Sequence, residues 1–261
     1  MPYASINGQR LYFEDTGGDQ PAIIFSHGLL MDGDMFAPQI NALHEQWRCI
    51  TWDERGHGRT ANGQSEPFTY YDSANDAVAL LDHLGIEQAV FAGMSQGGYL
   101  SLRAALRHPS RVRALVLIDT QALPEEAHKM VGHKKLIEQW ATSGLSDPAA
   151  QTIAHLILGD GWPSSGEWMD RWKRMQVGDL LQCFQTLAAR DDISDAIHAI
   201  QVPALVIHGT QDLAIDITRA RTMAQSLRNA VWAPIEGGGH APNLTHPEPV
   251  NQAISDFLKT L

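Results

Sequence analysis

Three of the six residues from 93 to 98 are glycine (Gly93, Gly97, Gly98), and they surround Ser95 in the segment FAGMSQGGYL (91–100). An apolar run precedes the segment and a helix-forming stretch follows it. Glycine inside a regular element costs about 1 kcal/mol relative to alanine, so this density points to a backbone crossing or a strained turn. In a strand-turn-helix setting, G-x-S-x-G is a sharp bend that lifts the serine oxygen above the carboxyl edge of a sheet. Gly93 and Gly97 then leave room for crossing backbone, and Gly98 lets the helix pack closely. A chain built around such a bend is committed to strands that alternate with helices.

The rest of the sequence carries that alternation. After an alternating, strand-like start come seven short apolar runs: LYFE (11–14), AIIFS (22–26), CITWD (49–53), AVFAG (89–93), ALVLID (114–119), ALVIHG (204–209) and AVWAPI (230–235). Most are continuous rather than alternating, as in strands covered on both faces. Between two of them, TYYDSANDAVALLDHLG offers Thr69 as a helix N-cap with Asp72 three residues on, and Gly85 as a stop. A second helix is expected from Ser95 to His108, ending before Pro109. The expected fold is α/β, a mostly parallel central sheet of about eight strands with helices on both faces.

The alternation stops between about Gln121 and Ala199, where helical patterns follow one another and four of the seven tryptophans occur. The expected organisation is a core from 1–120 and 200–261 interrupted by a helical cap at 121–199 over the carboxyl edge of the sheet, where open α/β sheets hold ligands. Trp162, Trp168 and Trp172, with Leu30 and Met94 from the core, are the expected walls of an apolar substrate pocket.

A serine hydroxyl needs a base within hydrogen-bond reach and an acid to orient that base. Asp212 follows the strand ALVIHG, and His240 lies in a glycine-rich loop after AVWAPI, so the chain order is Ser, Asp, His. Asp119 also ends a strand and competes as the acid, while Asp216 is expected to cap a helix. His57, in a turn, and His246, leading into the last helix, are weaker candidates for the base, and His27 is expected to brace a loop. Donors for a developing oxyanion are assigned to the backbone N–H groups of Leu29, in the loop SHGLL, and Gln96. Backbone donors survive side-chain changes, so the identities of the side chains at 29 and 96 say little.

Other chemistries find little purchase. No His, Cys or carboxylate spacing suggests a metal, and GDGWPSSG (159–166) lacks the lysine of a phosphate loop, so neither metal nor cofactor is expected. A net charge of -11, from 30 acidic against 19 basic residues, argues against nucleic acid or an anionic membrane. No export signal or bilayer-length apolar run is evident, and Cys49 and Cys183 read as reduced structural thiols, so a cytoplasmic location is expected. The expected partner is a small-molecule ester or lactone, and the expected state a monomer or homodimer.

Through SHGLL, DERGHG, GMSQGG, GTQD and GGHAPNLTHPEPV, the chain resembles the α/β-hydrolase superfamily over nearly its whole length. Within it the chain is similar to small, capped, cofactor-free carboxylesterases and lactonases, among them the 3-oxoadipate enol-lactonases and the related non-haem haloperoxidases. The resemblance implies a triad of Ser95, Asp212 and His240 and a cap-formed acyl pocket. The same triad also serves C–C bond hydrolases, perhydrolases and ligand-binding receptors of this fold. Gln96 departs from the family, whose enol-lactonases usually carry methionine there, as does LAID after Asp212, where a valine-proline pair is common.

Overall fold

Every apolar run becomes a strand of one sheet. The computed structural model describes residues 2–61 and 66–261. Its strands are β1 (Tyr3–Ile6), β2 (Gln9–Asp15), β3 (Ala22–Ser26), β4 (Arg48–Trp52), β5 (Ala89–Met94), β6 (Val112–Ile118), β7 (Ala204–Gly209) and β8 (Ala230–Ile235), side by side in the order β1-β2-β4-β3-β5-β6-β7-β8. β1 pairs antiparallel with β2, and β2 with β4; all pairings among β3 to β8 are parallel.

Around the sheet lie α1 (Ala37–Leu43), α2 (Tyr70–His83), α3 (Gln96–Arg107), α4 (Ala127–Ser143), α5 (Asp147–Leu158), α6 (Ser165–Lys173), α7 (Val177–Ala188), α8 (Ile217–Ser226), α9 (Pro242–Thr245) and α10 (Pro247–Leu258). Consecutive side chains of a strand serve opposite faces. In β3, Ile24 joins the core formed with α2, α3 and α8, while Ile23 and Phe25 join the core formed with α1 and α10. Both faces of β3, β5 and β7 are therefore buried, which is why their sequences read as unbroken apolar runs. β8 is different: it is an edge strand, its Val231 is 55% exposed, and it accommodates Pro234.

The helices α4 to α7 follow one another between β6 and β7. No described helix is long and apolar enough to cross a membrane. From β3 the chain moves to β4 on one side, then reaches β5 on the other side of β3. The loops after β3 and β5 therefore diverge and leave a crevice at the carboxyl edge, the topological switch point of the sheet.

Helix α2 begins as its sequence predicts. The Thr69 side chain accepts from the Asp72 N–H at 3.3 Å, and Asp72 Oδ2 accepts from the Thr69 N–H at 2.7 Å. Two N–H groups that the helix cannot satisfy internally are thereby paired. Replacing Thr69 by alanine is expected to lower stability by about 1 kcal/mol in urea unfolding, with an unchanged m-value.

Candidate active site

Ser95 occupies the bend between β5 and α3 with φ 52° and ψ -114°, a backbone conformation that strains a residue with a Cβ. The surrounding packing enforces it. A Cβ on Gly93 would overlap the Gly97 carbonyl, and one on Gly97 would overlap the Ser26 carbonyl of β3, so only glycine permits the crossing. The Ser95 N–H donates to the Ile118 carbonyl at 2.9 Å, and its own carbonyl accepts from Thr120 Oγ1 at 2.8 Å. With its backbone fixed on both sides, the residue has its side chain as the remaining freedom.

His240 meets that side chain. Its Nε2 lies 3.1 Å from Ser95 Oγ, and its Nδ1 lies 2.8 Å from Asp212 Oδ2. Asp212 Oδ1 in turn accepts from the backbone N–H groups of Ala214 at 2.7 Å and Ile215 at 3.1 Å. Burial works to raise the Asp212 carboxyl, but the charges of His240 and His208 and these hydrogen bonds hold it below the usual carboxylate range. The three residues stand at the ends of three different strands, so the sheet itself sets their separation.

Asp119, the competing acid, lies on the same edge, beside Asp212 and His208, and its Oδ1 accepts from the Gly209 N–H at 2.9 Å. Burial, reinforced by the negative charge of Asp212, pushes its carboxyl well above the usual range. Asp119, His208 and Asp212 also bring one potential metal-ligand atom each within 4.8 Å of one another, a proximity that sequence spacing did not reveal. Asp216 caps α8 through Thr218 at 2.8 Å, and His246 leads into α10, both as expected.

Leu29 stands beside the bend in the loop after β3, and Gln96 is the first residue of α3, so its N–H has no acceptor within that helix. His27 braces this loop: Nδ1 donates to the Gly28 carbonyl at 2.8 Å, and Nε2 accepts from the Glu54 N–H at 2.9 Å. The side chain at 96, whose identity said little in the sequence, is engaged in the structure. Gln96 is buried, its Oε1 accepts from Tyr70 Oη at 3.2 Å, and its Nε2 donates to Glu54 Oε2 at 2.6 Å.

Above Ser95 lies a cavity of about 120 Å³ with a largely apolar wall. Leu30 and Met94 line it as expected. Trp162, Trp168 and Trp172 do not. Trp168 and Trp172 are buried on the inner face of α6, and Trp162 borders a separate groove with Leu213. Trp172 Nε1 donates to the Leu30 carbonyl at 2.8 Å, while Arg171 pairs with Asp32 at 2.7 Å and Asp34 at 2.8 Å. Helix α6 thus grips the Leu29 loop from outside, and the cavity wall falls to Leu136 of α4, Ile153 and Ile157 of α5, and Phe184 of α7. The i, i+4 spacing of Ile153 and Ile157 marks an apolar face, a signal available in the sequence but overshadowed by the tryptophans. Glu125 and His133, also on the wall, carried no such signal.

With this geometry established, comparison with known proteins places it in context. A family profile described as alpha/beta hydrolase fold matches residues 21–156, and one described as TAP-like protein matches residues 170–261. The chain is 29% identical to the "3-oxoadipate enol-lactonase 2" of Acinetobacter baylyi, over 92% of this chain and 90% of that one. It is also 29% identical to the "Putative carbamate hydrolase RutD" of Caulobacter sp. (strain K31), over 99% and 98%. Among solved structures, the enol-lactonase from Burkholderia xenovorans LB400 superposes with a TM-score of 0.90 at 28% identity, covering 99% of this chain and all of that one.

His57, beneath the site, is buried with its ring 4.9 Å from that of His27. Burial, aided by repulsion from His27, pushes His57 down from 6.5 to about 3. Between those values the unfolded chain binds a proton that the folded chain refuses, so stability falls as pH drops below 6.5. The loss reaches about 2 kcal/mol by pH 5. Urea unfolding at pH 7 and pH 5 checks this: His57→Gln is expected to lose about 2 kcal/mol less than the parent over that interval, and equal losses would contradict it.

Proposed function

The chain belongs to the alpha/beta hydrolase fold family, and we propose that it is a serine hydrolase that cleaves a small ester or lactone through an acyl-enzyme on Ser95. The observation that carries this reading is the run of contacts from Ser95 Oγ through His240 to Asp212, at 3.1 and 2.8 Å, on the wall of an apolar cavity. Relatives named as enol-lactonases, and a thermophilic esterase from Thermogutta terrifontis at 25% identity, support the ester and lactone class.

In the proposed reaction, His240 Nε2 takes the proton of Ser95 Oγ as that oxygen bonds to the substrate carbonyl carbon. The carbonyl oxygen becomes an anion that the N–H groups of Leu29 and Gln96 hold. Asp212 keeps the Nδ1 proton of His240 in place and stabilises the imidazolium. The tetrahedral species then collapses: the C–O bond breaks and the leaving oxygen takes the proton from His240. In a lactone that oxygen stays attached to the acyl chain. Water, deprotonated by His240, attacks the acyl carbon next, and Ser95 Oγ leaves with the proton returned.

Residues 121–199 act in this reading as a cap whose helices α4, α5 and α7 enclose the acyl group. The wall carries a carboxylate, Glu125, and its cation Arg190 lies behind it at 3.6 Å, buried. An uncharged acyl chain suits such a wall better than one ending in a second carboxylate.

On p-nitrophenyl butyrate, Ser95→Ala and His240→Ala are each expected to lower kcat by about a million-fold, and Asp212→Asn by about ten thousand-fold. A Ser95→Ala protein of parental rate would overturn the mechanism. Across a panel of esters, lactones and carbamates, the butyrate ester is expected to exceed the matching succinate monoester in kcat/KM by about tenfold or more, a ratio worth 1.4 kcal/mol or more. Equal values would remove the argument from Glu125.

A further inference from the structure

The two N–H groups assigned to the oxyanion lie on separate segments, the loop after β3 and the start of α3, and a buried run of side chains and backbone groups joins them. From Gln96, the amide Nε2 reaches Glu54 Oε2 at 2.6 Å. From Glu54, which follows β4, the backbone N–H reaches His27 Nε2 at 2.9 Å, and His27 Nδ1 reaches the Gly28 carbonyl at 2.8 Å. Leu29 is the next residue. Glu54, Gln96 and His27 are each 1% exposed, so no water competes for these bonds. Helix α2 closes the network, with Ser73 Oγ 2.5 Å from Glu54 Oε1 and Tyr70 Oη 3.2 Å from Gln96 Oε1.

We propose that Glu54 is a positioning residue: by holding the Gln96 amide with its carboxyl and the His27 ring with its backbone, it fixes the spacing of the Leu29 and Gln96 N–H groups. The inference rests on the serine-hydrolase reading above. It gives a role to the acid of DERGHG, and it accounts for glutamine at position 96, since a methionine there would leave a buried carboxyl without its donor.

Burial, reinforced by the charge of Asp76, pushes the Glu54 carboxyl up to about 8. Its two oxygens have different partners: Oε2 accepts from Gln96 Nε2, and Oε1 accepts from Ser73 Oγ, which also lies 3.4 Å from the Thr69 carbonyl. A glutamine side chain keeps an acceptor for Gln96 Nε2 and can give its N–H to Ser73 Oγ, whose hydrogen then turns to the Thr69 carbonyl, whereas leucine offers neither.

The test compares the parent with Glu54→Leu, Glu54→Gln and Gln96→Met in the full chain, reading kcat and KM on p-nitrophenyl butyrate and inhibition by butylboronic acid. The boronic acid forms a tetrahedral adduct on the nucleophile and reports the oxyanion site without turnover. Glu54→Leu and Gln96→Met are each expected to lower kcat by about thirtyfold or more, part of what complete loss of one donor costs, and to weaken boronic acid inhibition in proportion. KM should stay within about threefold, and Glu54→Gln should retain kcat within about threefold of the parent. A folded Glu54→Leu or Gln96→Met protein with near-parental kcat overturns the proposal, as does a loss of kcat without a matching loss of inhibition. So does a Glu54→Gln protein as impaired as Glu54→Leu. Should Glu54→Leu fail to fold, the other two variants decide alone. A parent that turns over no ester or lactone is a separate result, one that removes the underlying reading itself.

Discussion

The close crossing of α3 over β3 and β5 is the constraint on which the rest of the site depends. Gly93 and Gly97 allow backbones to approach to a distance that no Cβ would tolerate, and the chain can then turn from strand to helix only through a strained residue. Ser95 bears that strain, and Leu30 and Asp119, at the ends of neighbouring segments, also have positive φ. Each such residue costs on the order of 1–3 kcal/mol, which the fully buried strands on either side offset. In return, one bend raises Ser95 Oγ to His240 and leaves the Gln96 N–H without a partner in its helix.

Two carboxyl groups on the same sheet edge are shifted in opposite directions by their surroundings. Asp212, with two backbone donors and an imidazole, is held below the usual carboxylate range, while burial and the charge of Asp212 push Asp119 well above it. Separation of this kind is what the proposed mechanism requires of the acid beside His240. Glu54 follows the same rule on the far side of the bend. In a chain with 30 acidic residues, burial rather than composition decides which of them carry charge.

Much of this was legible in the sequence. Ser95, Asp212 and His240 each follow an apolar run closely, and a parallel sheet brings all strand carboxyl ends to one edge, so order along the chain translated into proximity. The cavity wall did not translate. Which face of α4 to α7 points inward depends on how those helices cross, and Trp168 and Trp172 turned out to pack inside α6 rather than over Ser95. The bond between Glu54 and Gln96 joins residues 42 apart with no periodicity to link them, so the side chain at 96 looked incidental until its partner was seen. The exposed face of β8 escaped for a related reason: Val231 looks like a core residue until the strand proves to be an edge.

The claim at the centre of the account is that the strained bend presents a nucleophilic oxygen. The most direct measurement is labelling of the folded protein with a fluorophosphonate, followed by intact mass and peptide mapping. The account predicts one equivalent of label, carried by the peptide that contains Ser95. Label on another residue, or none on a protein that hydrolyses esters, would contradict it.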